Sequence, residues 1–186
     1  MSLLAVIIIF ICVCVDNMVS AHMSAVNMTK DNKTVFSVKM ALFFTVFNVL
    51  LFALGYVLSI VFFRHWVYFA HNWVAFAFLL LLGIKLMLES IEKSLSFRDE
   101  DYTSMRKLIK VSTLAGLNFF LVGYALETMD RPFFPDAVLL LVLTFILTLV
   151  GSHLGGGERG KNLFTKKLEL VAGIILIIMG IWQIIV

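Results

Sequence analysis

The sequence predicts an all-α membrane protein whose six transmembrane helices form two inverted three-helix repeats. Three observations predict it. First, 61% of the 186 residues are hydrophobic and only 15% are charged, with a mean hydropathy of +1.02; soluble chains run at about 45–50% apolar and about 25% charged. Second, the apolar residues fall in blocks of about 20, the length a helix needs to cross about 30 Å of hydrocarbon and about twice that of a barrel strand. Third, polar residues recur at matching depths in the two halves of the chain. The net charge of +3 is spread over short loops rather than gathered in a patch, so its role is topological and no nucleic-acid partner is implied.

The first span covers about residues 2–23 and is read as a span rather than a cleaved signal, because no Lys or Arg precedes the apolar run. Within it stands Asp16. An acid at mid-bilayer depth costs roughly 3 kcal/mol on insertion scales, and such a cost usually goes with a use on an ion or proton path. A snorkelling or bundle-capping Asp is the structural alternative. Cys12 and Cys14 point about 160° apart on a helix, so they read as apolar fillers, neither bridged nor chelating. A polar loop is expected over residues 24–39.

Span two, about residues 40–63, carries Asn48 at depth. Span three, about residues 66–91, has Asn72 near its start and Lys85 and Glu89 near its end, one turn apart, which reads as a structural salt bridge with the lysine snorkelling. A charged cytoplasmic loop at 93–110 separates a first repeat, residues 1–92, from a second, residues 111–186. Span four, about 111–126, contains Asn118 beside Ala115, Gly116 and Gly123, small residues that permit close helix packing. Span five, about 133–150, holds Thr144 and Thr148. Span six, about 168–186, begins with Glu169 behind Lys166 and Lys167.

Loop charge orients the chain. The loops joining spans 1–2, 3–4 and 5–6 carry Lys30, Lys33 and Lys39, then Lys93, Arg98, Arg106, Lys107 and Lys110, then Arg159, Lys161, Lys166 and Lys167. The opposite side has Arg64 and Arg131. The positive-inside rule then places both termini outside the cytoplasmic membrane. Matching Asp16 with Asn118, Asn48 with Thr144, Asn72 with Glu169 and Gly83 with Gly180 gives steps of 32, 24 and 11 residues in one half and 26, 25 and 11 in the other. Three spans per repeat is odd, so the repeats are inverted, which suits alternating access around a midplane site.

The rise per helical residue puts Asp16 about 20 Å from the outer end of its span, with Asn48 and Asn118 about 10–13 Å from the inner ends of theirs. Thr144 falls near the same depth. Asp16, Asn17, Ser20, Asn48, Asn118 and Thr144 are therefore the candidate metal ligands, with Asn72 and Glu169 on the gating or access path. Carboxylate, amide and hydroxyl oxygens suit a hard cation such as Mn²⁺ or Mg²⁺. For any single Asn or Thr an interhelical hydrogen bond is the competing role. No Ser–His pair, paired acids or HExxH motif is evident, so neither an enzyme nor a cofactor is expected and the cation is substrate. Residues 155–162 nearly spell a phosphate-binding loop, but Asn162 replaces the required Ser or Thr and no strand precedes it. Lipid is the implied surrounding, and an oligomer is compatible with all of this.

Three stretches carry a resemblance: Cys14-Val15-Asp16-Asn17-Met18-Val19-Ser20-Ala21; His71-Asn72-Trp73-Val74-Ala75-Phe76 running on to Gly83, Lys85 and Glu89; and Lys166-Lys167-Leu168-Glu169 with Gly173 and Gly180. Over most of its length the chain resembles the MntP manganese efflux pumps of the LysE/TerC-related superfamily, and its Asp-Asn pair is similar to that of the TerC family. The resemblance implies six helices, two inverted repeats and export of Mn²⁺. Two departures stand out: Asn118 where that family has a second Asp, and Asn48 near an acidic position. One carboxylate about 4 Å from a divalent ion supplies roughly 8 kcal/mol of gross attraction at an effective dielectric of about 20, partly offset by desolvation. Weaker divalent binding, another cation, or a non-transporting subunit or sensor on the same scaffold are the alternatives this opens.

Overall fold

In the computed structural model the described residues are 3–26, 30–63, 71–96, 105–154 and 163–185, and they form six helices. These are α1 (Leu3–Val26), α2 (Lys30–Phe63), α3 (His71–Ser96), α4 (Met105–Thr128), α5 (Phe133–Leu154) and α6 (Leu163–Ile185). Among the described residues, four stretches are long and apolar enough to cross a membrane: Leu3–His22 in α1, Thr34–Val61 in α2, Trp73–Ile91 in α3 and Phe133–Leu154 in α5. α4 and α6 begin instead on basic turns, with Arg106, Lys107 and Lys110 in one and Lys166 and Lys167 in the other.

The helices run further than the apolar blocks do. The stretch expected as a polar loop, residues 24–39, is mostly helical, α1 reaching Val26 and α2 starting at Lys30. No Gly or Pro interrupts this segment, and Ser37, Met40, Ala41 and Phe44 are buried at helical spacing, so the amphipathic face of α2 continues past the apolar block. α3 and α4 likewise extend into the 93–110 stretch. Residues 64–70 and the near phosphate-loop at 155–162 lie outside the described residues.

Between α4 and α5 the stop is chemical. Asp130 adopts a left-handed conformation (φ 53°), the Arg131 amide donates to the Leu126 carbonyl and the Asp130 amide to that of Glu127, and Pro132 follows. This is a Schellman closure with Asp in the place usually taken by Gly. Arg131 then grips Asp136 in the first turn of α5 through Nη2 and Nε, at 2.9 and 3.3 Å, a bidentate geometry that holds a buried carboxylate with its charge matched.

Packing closes the helices into a ring: α1 against α5, α5 against α2, α2 against α4, α4 against α3, α3 against α6 and α6 back against α1. α1 and α4, on opposite sides of that ring, also touch across its middle. Lipid-directed faces are overwhelmingly apolar. Leu42, Val46, Leu50, Leu54, Val57 and Val61 form an exposed stripe down α2, while α5 buries Asp136, Thr144, Thr148 and Ser152 and exposes Val138, Leu141, Val142 and Ile146. A water-soluble protein does not expose contiguous apolar area on this scale; a bilayer makes it the low-energy choice.

Between helices in lipid the drive to pack is van der Waals contact, so small residues let backbones close. α3 and α6 cross antiparallel on Gly83 and Gly173. A Cβ on Gly83 would stand 2.8 Å from the Gly173 carbonyl oxygen, and one on Gly173 would stand 2.7 Å from that of Gly83. At Gly180 the nearest atoms, Leu79 Cβ and Phe76 Cδ2, would be 3.3 and 3.4 Å away. Gly83→Ala is therefore expected to cost about 1–3 kcal/mol through forced helix separation, and Gly180→Ala clearly less. Thermal unfolding of the two variants in detergent, side by side, checks the difference.

Candidate functional site

Asp16 lies a little past the middle of α1, on the side facing α4, and only 4% of it is exposed. Its Oδ2 accepts a hydrogen bond from Asn118 Nδ2 at 3.1 Å. The carboxylate therefore faces the interior and meets the asparagine of α4 directly across the ring. A hydrogen bond to an ionised acceptor is worth about 1.5–3 kcal/mol net, and with hydrocarbon outside there is no bulk water to take its place.

Near this pair lie Asn48 and Thr144. Asn48, fully buried on α2, has its Oδ1 3.6 Å from where a Cβ on Gly116 would stand, two residues before Asn118. Thr144, fully buried on α5, lies with its Oγ1 3.5 Å from Cys14 Sγ, two residues before Asp16. Asn17 is fully buried and Ser20 nearly so. Glu169 is 1% exposed, one turn from the Gly173 contact with α3, which levels it with the end of that helix rather than with Asp16. The Asn72 side chain lies outside the described residues. Both cysteines are free and buried, as fillers would be.

Two of the amides lack the role that would make them purely structural. Neither the oxygen nor the nitrogen of the Asn17 or Asn48 side chain has a hydrogen-bond partner among the described residues, and the same holds for Thr45 Oγ1. Buried amides are almost always paired, and leaving one unpaired costs about 1–3 kcal/mol. Oxygen donors held unpaired beside a buried carboxylate fit a hard cation chemically. Among the described residues no three His, Cys, Asp or Glu side chains cluster.

Lys85 is the residue the sequence misplaced. Its i, i+4 pairing with Glu89 is present, Nζ to Oε1 at 3.4 Å. The ammonium nevertheless does not snorkel toward the helix end. It donates to Asn118 Oδ1 at 2.5 Å and so joins the Asp16 layer. Periodicity along α3 reveals Glu89 as a neighbour, but only the packing of α3 on α4 reveals Asn118.

The polar atoms are biased toward one end. Cys14 meets Thr144 and Met18 meets Gly151, so α1 and α5 run parallel. At the end holding the C-termini of α1 and α5 and the N-terminus of α2 lie buried Ser20, Ser37, Thr45, Thr148 and Ser152. Thr148 and Ser152 donate to carbonyls of their own helix, Thr144 and Leu149, which leaves their oxygen lone pairs available as acceptors. At the other end Phe10, Phe52, Tyr56 and Phe133 stack with ring centroids 5.1–6.4 Å apart, and Tyr56 Oη donates to the Arg131 carbonyl at 2.8 Å. Replacing Asn48 by Leu, its nearest apolar shape, is expected to stabilise the ion-free protein by about 1–3 kcal/mol while weakening cation retention. Thermal unfolding with and without Mn²⁺ measures both effects in one experiment.

Residues 31–184 match the family model described as "Putative manganese efflux pump". A protein of that description from Methanothermobacter thermautotrophicus is 33% identical over 109 residues, spanning 59% of this chain and 56% of its own length. One from Actinobacillus succinogenes is 30% identical over 148 residues, 78% of this chain and 76% of the relative. One from Methanobrevibacter smithii is 24% identical across 97% and 95% of the two chains. No solved structure matches. With a family match over most of its length and a helical apolar scaffold, the chain belongs to the MntP family.

Proposed function

We propose that this protein is a secondary transporter that exports a divalent cation, Mn²⁺, from the cytoplasm across the plasma membrane by alternating access. The observation that carries the proposal is the Asp16 carboxylate, buried in a span and hydrogen-bonded across the ring to Asn118, with the unpartnered amides of Asn17 and Asn48 in the same region. A buried charge among unpaired oxygens is stabilised by the cation it awaits. The relatives' description as manganese efflux pumps supports the choice of ion.

The topology we assign has six spans, both termini outside, and two inverted repeats. Reciprocal contacts support the repeats. Gly55 of α2 packs on the Phe120 carbonyl of α4, and Gly151 of α5 packs on the Met18 carbonyl of α1. Gly55 and Gly151 stand 96 residues apart, as do Asn48 and Thr144; Met18 and Phe120 stand 102 apart, as do Asp16 and Asn118. Gly83 and Gly173 pack on each other, with Met87 and Ile177 as reciprocal neighbours. This favours pairing Gly83 with Gly173 rather than with Gly180, two turns away from the register expected in the sequence.

The same spacing of 96 relates Ser37 to Phe133, Phe52 to Thr148 and Tyr56 to Ser152. Equivalent positions are thus hydroxyls at one end and rings at the other. With the C-terminal ends of α1 and α5 facing the cytoplasm, the hydroxyl end is the access side and the aromatic end is the closed exit. Neutral Asn118, where a second carboxylate would hold the ion harder, favours one alternative: a subunit or sensor that binds without transporting.

Mn²⁺ accumulation by inside-out vesicles is expected to fall to background for Asp16→Asn at equal protein level; undiminished transport by that variant removes the proposal. Asn118→Asp restores a second charge and is expected to tighten Mn²⁺ binding by about ten-fold or more, measured on the purified protein. Binding without transport under every gradient imposed would select the sensor or subunit.

A further inference from the structure

Lys85 stands within the apolar stretch Trp73–Ile91, and its ammonium lies between two acceptors, Asn118 Oδ1 on α4 and Glu89 Oε1 one turn further along α3. The amide of Asn118 cannot be turned round in this arrangement. An ammonium only donates and a carboxylate only accepts, so the oxygen must face Lys85 and the nitrogen must face Asp16. Hard cations bind amides through oxygen alone. The one atom by which Asn118 can hold a cation is therefore the atom that Lys85 occupies.

Charge and room point the same way. A divalent ion at Asn118 Oδ1 and an ammonium at the same oxygen repel strongly in a site of low effective dielectric. Asp16 and Asn118 are closely packed, at 4% and 0% exposed, whereas the side chains of Lys85 and Glu89 retain 31% and 23% exposure. The pair with freedom to move is the lysine and its second acceptor. The lysine stem, anchored on α3, needs only a rotamer change to shift its head from one acceptor toward the other.

We infer that Lys85 is a tethered competitor for the transported ion: its ammonium and the divalent cation occupy the Asn118 carbonyl oxygen by turns, and Glu89 holds the ammonium while the cation is bound. This rests on the cation-transport function proposed above. In the empty carrier Lys85 offsets the Asp16 charge through Asn118. On the release side its return displaces the ion. Lys85 is a positioning residue, setting affinity without itself contacting the ion.

The test is Mn²⁺ binding to the full-length protein in detergent, read from the loss of the free aquo-Mn²⁺ paramagnetic resonance signal. Lys85→Gln is expected to bind Mn²⁺ about ten-fold more tightly than the parent and to transport it more slowly, a combination that structural damage does not produce. Lys85→Arg keeps the charge and should not bind more tightly. Glu89→Gln removes the charge of the second acceptor and should bind more weakly, but in the Lys85→Gln background it should change little, because its effect passes through the lysine. Unchanged or weaker binding by Lys85→Gln, or additivity of the two substitutions, overturns the inference while leaving transport intact, provided Asp16→Asn abolishes binding. If Asp16→Asn binds like the parent, the site and the lysine's role fall together. Should Lys85→Gln not yield monodisperse protein, Glu89→Gln alone decides: weaker binding supports the inference, and unchanged or tighter binding overturns it.

Discussion

The hydrogen bond from Asn118 to Asp16 is the interaction on which the centre of this molecule depends. It joins α1 to α4, helices on opposite sides of a six-membered ring, at the point where they touch across its middle. A carboxylate there is almost wholly removed from solvent. It accepts from a neutral amide whose other end is polarised by an ammonium. Such a chain of hydrogen bonds polarises and strengthens each link.

The rest of the bundle follows from placing that chain in lipid. Helices present Leu, Val and Ile outward because hydrocarbon is the solvent there, and the buried stripe of α5 is more polar than its exposed one. With no hydrophobic drive between helices, contact distance decides association, and Gly55, Gly83, Gly123, Gly151 and Gly173 sit where one backbone meets another. Close approach at these points also limits how the helices can move, favouring rigid displacement of whole elements over local bending.

The interior is lopsided. Four aromatic rings and the Arg131–Asp136 clasp pack one end, with buried Ser59 and Thr128 beside them, while Ser20, Ser37, Thr45, Thr148 and Ser152 lie toward the other. Rings exclude water and ions chiefly by bulk; hydroxyl oxygens can replace part of an ion's hydration shell.

Much of this was legible in the sequence because membranes impose simple rules. About 20 apolar residues make a span, and a charge within one is rare enough to be singled out, so Asp16 and its layer partners Asn118, Asn48 and Thr144 could be named from depth alone. Helix ends were not legible. The 24–39 stretch is polar enough to be a loop, yet it lacks a residue that stops a helix, and its fate was decided by burial of Ser37 and Met40 against neighbouring helices. Lys85 was not legible either, since one-dimensional spacing sees only Glu89. Its contact with Asn118 exists because Gly83 and Gly173 let α3 and α6 close while α3 also leans on α4. By itself, then, the sequence determined which residues enter the membrane and at what depth, through transfer free energies that act on each residue separately. Only the tertiary structure decided which of the polar groups at one depth face each other, because that depends on how helices rotate and cross, a property of the packed bundle and of no single segment.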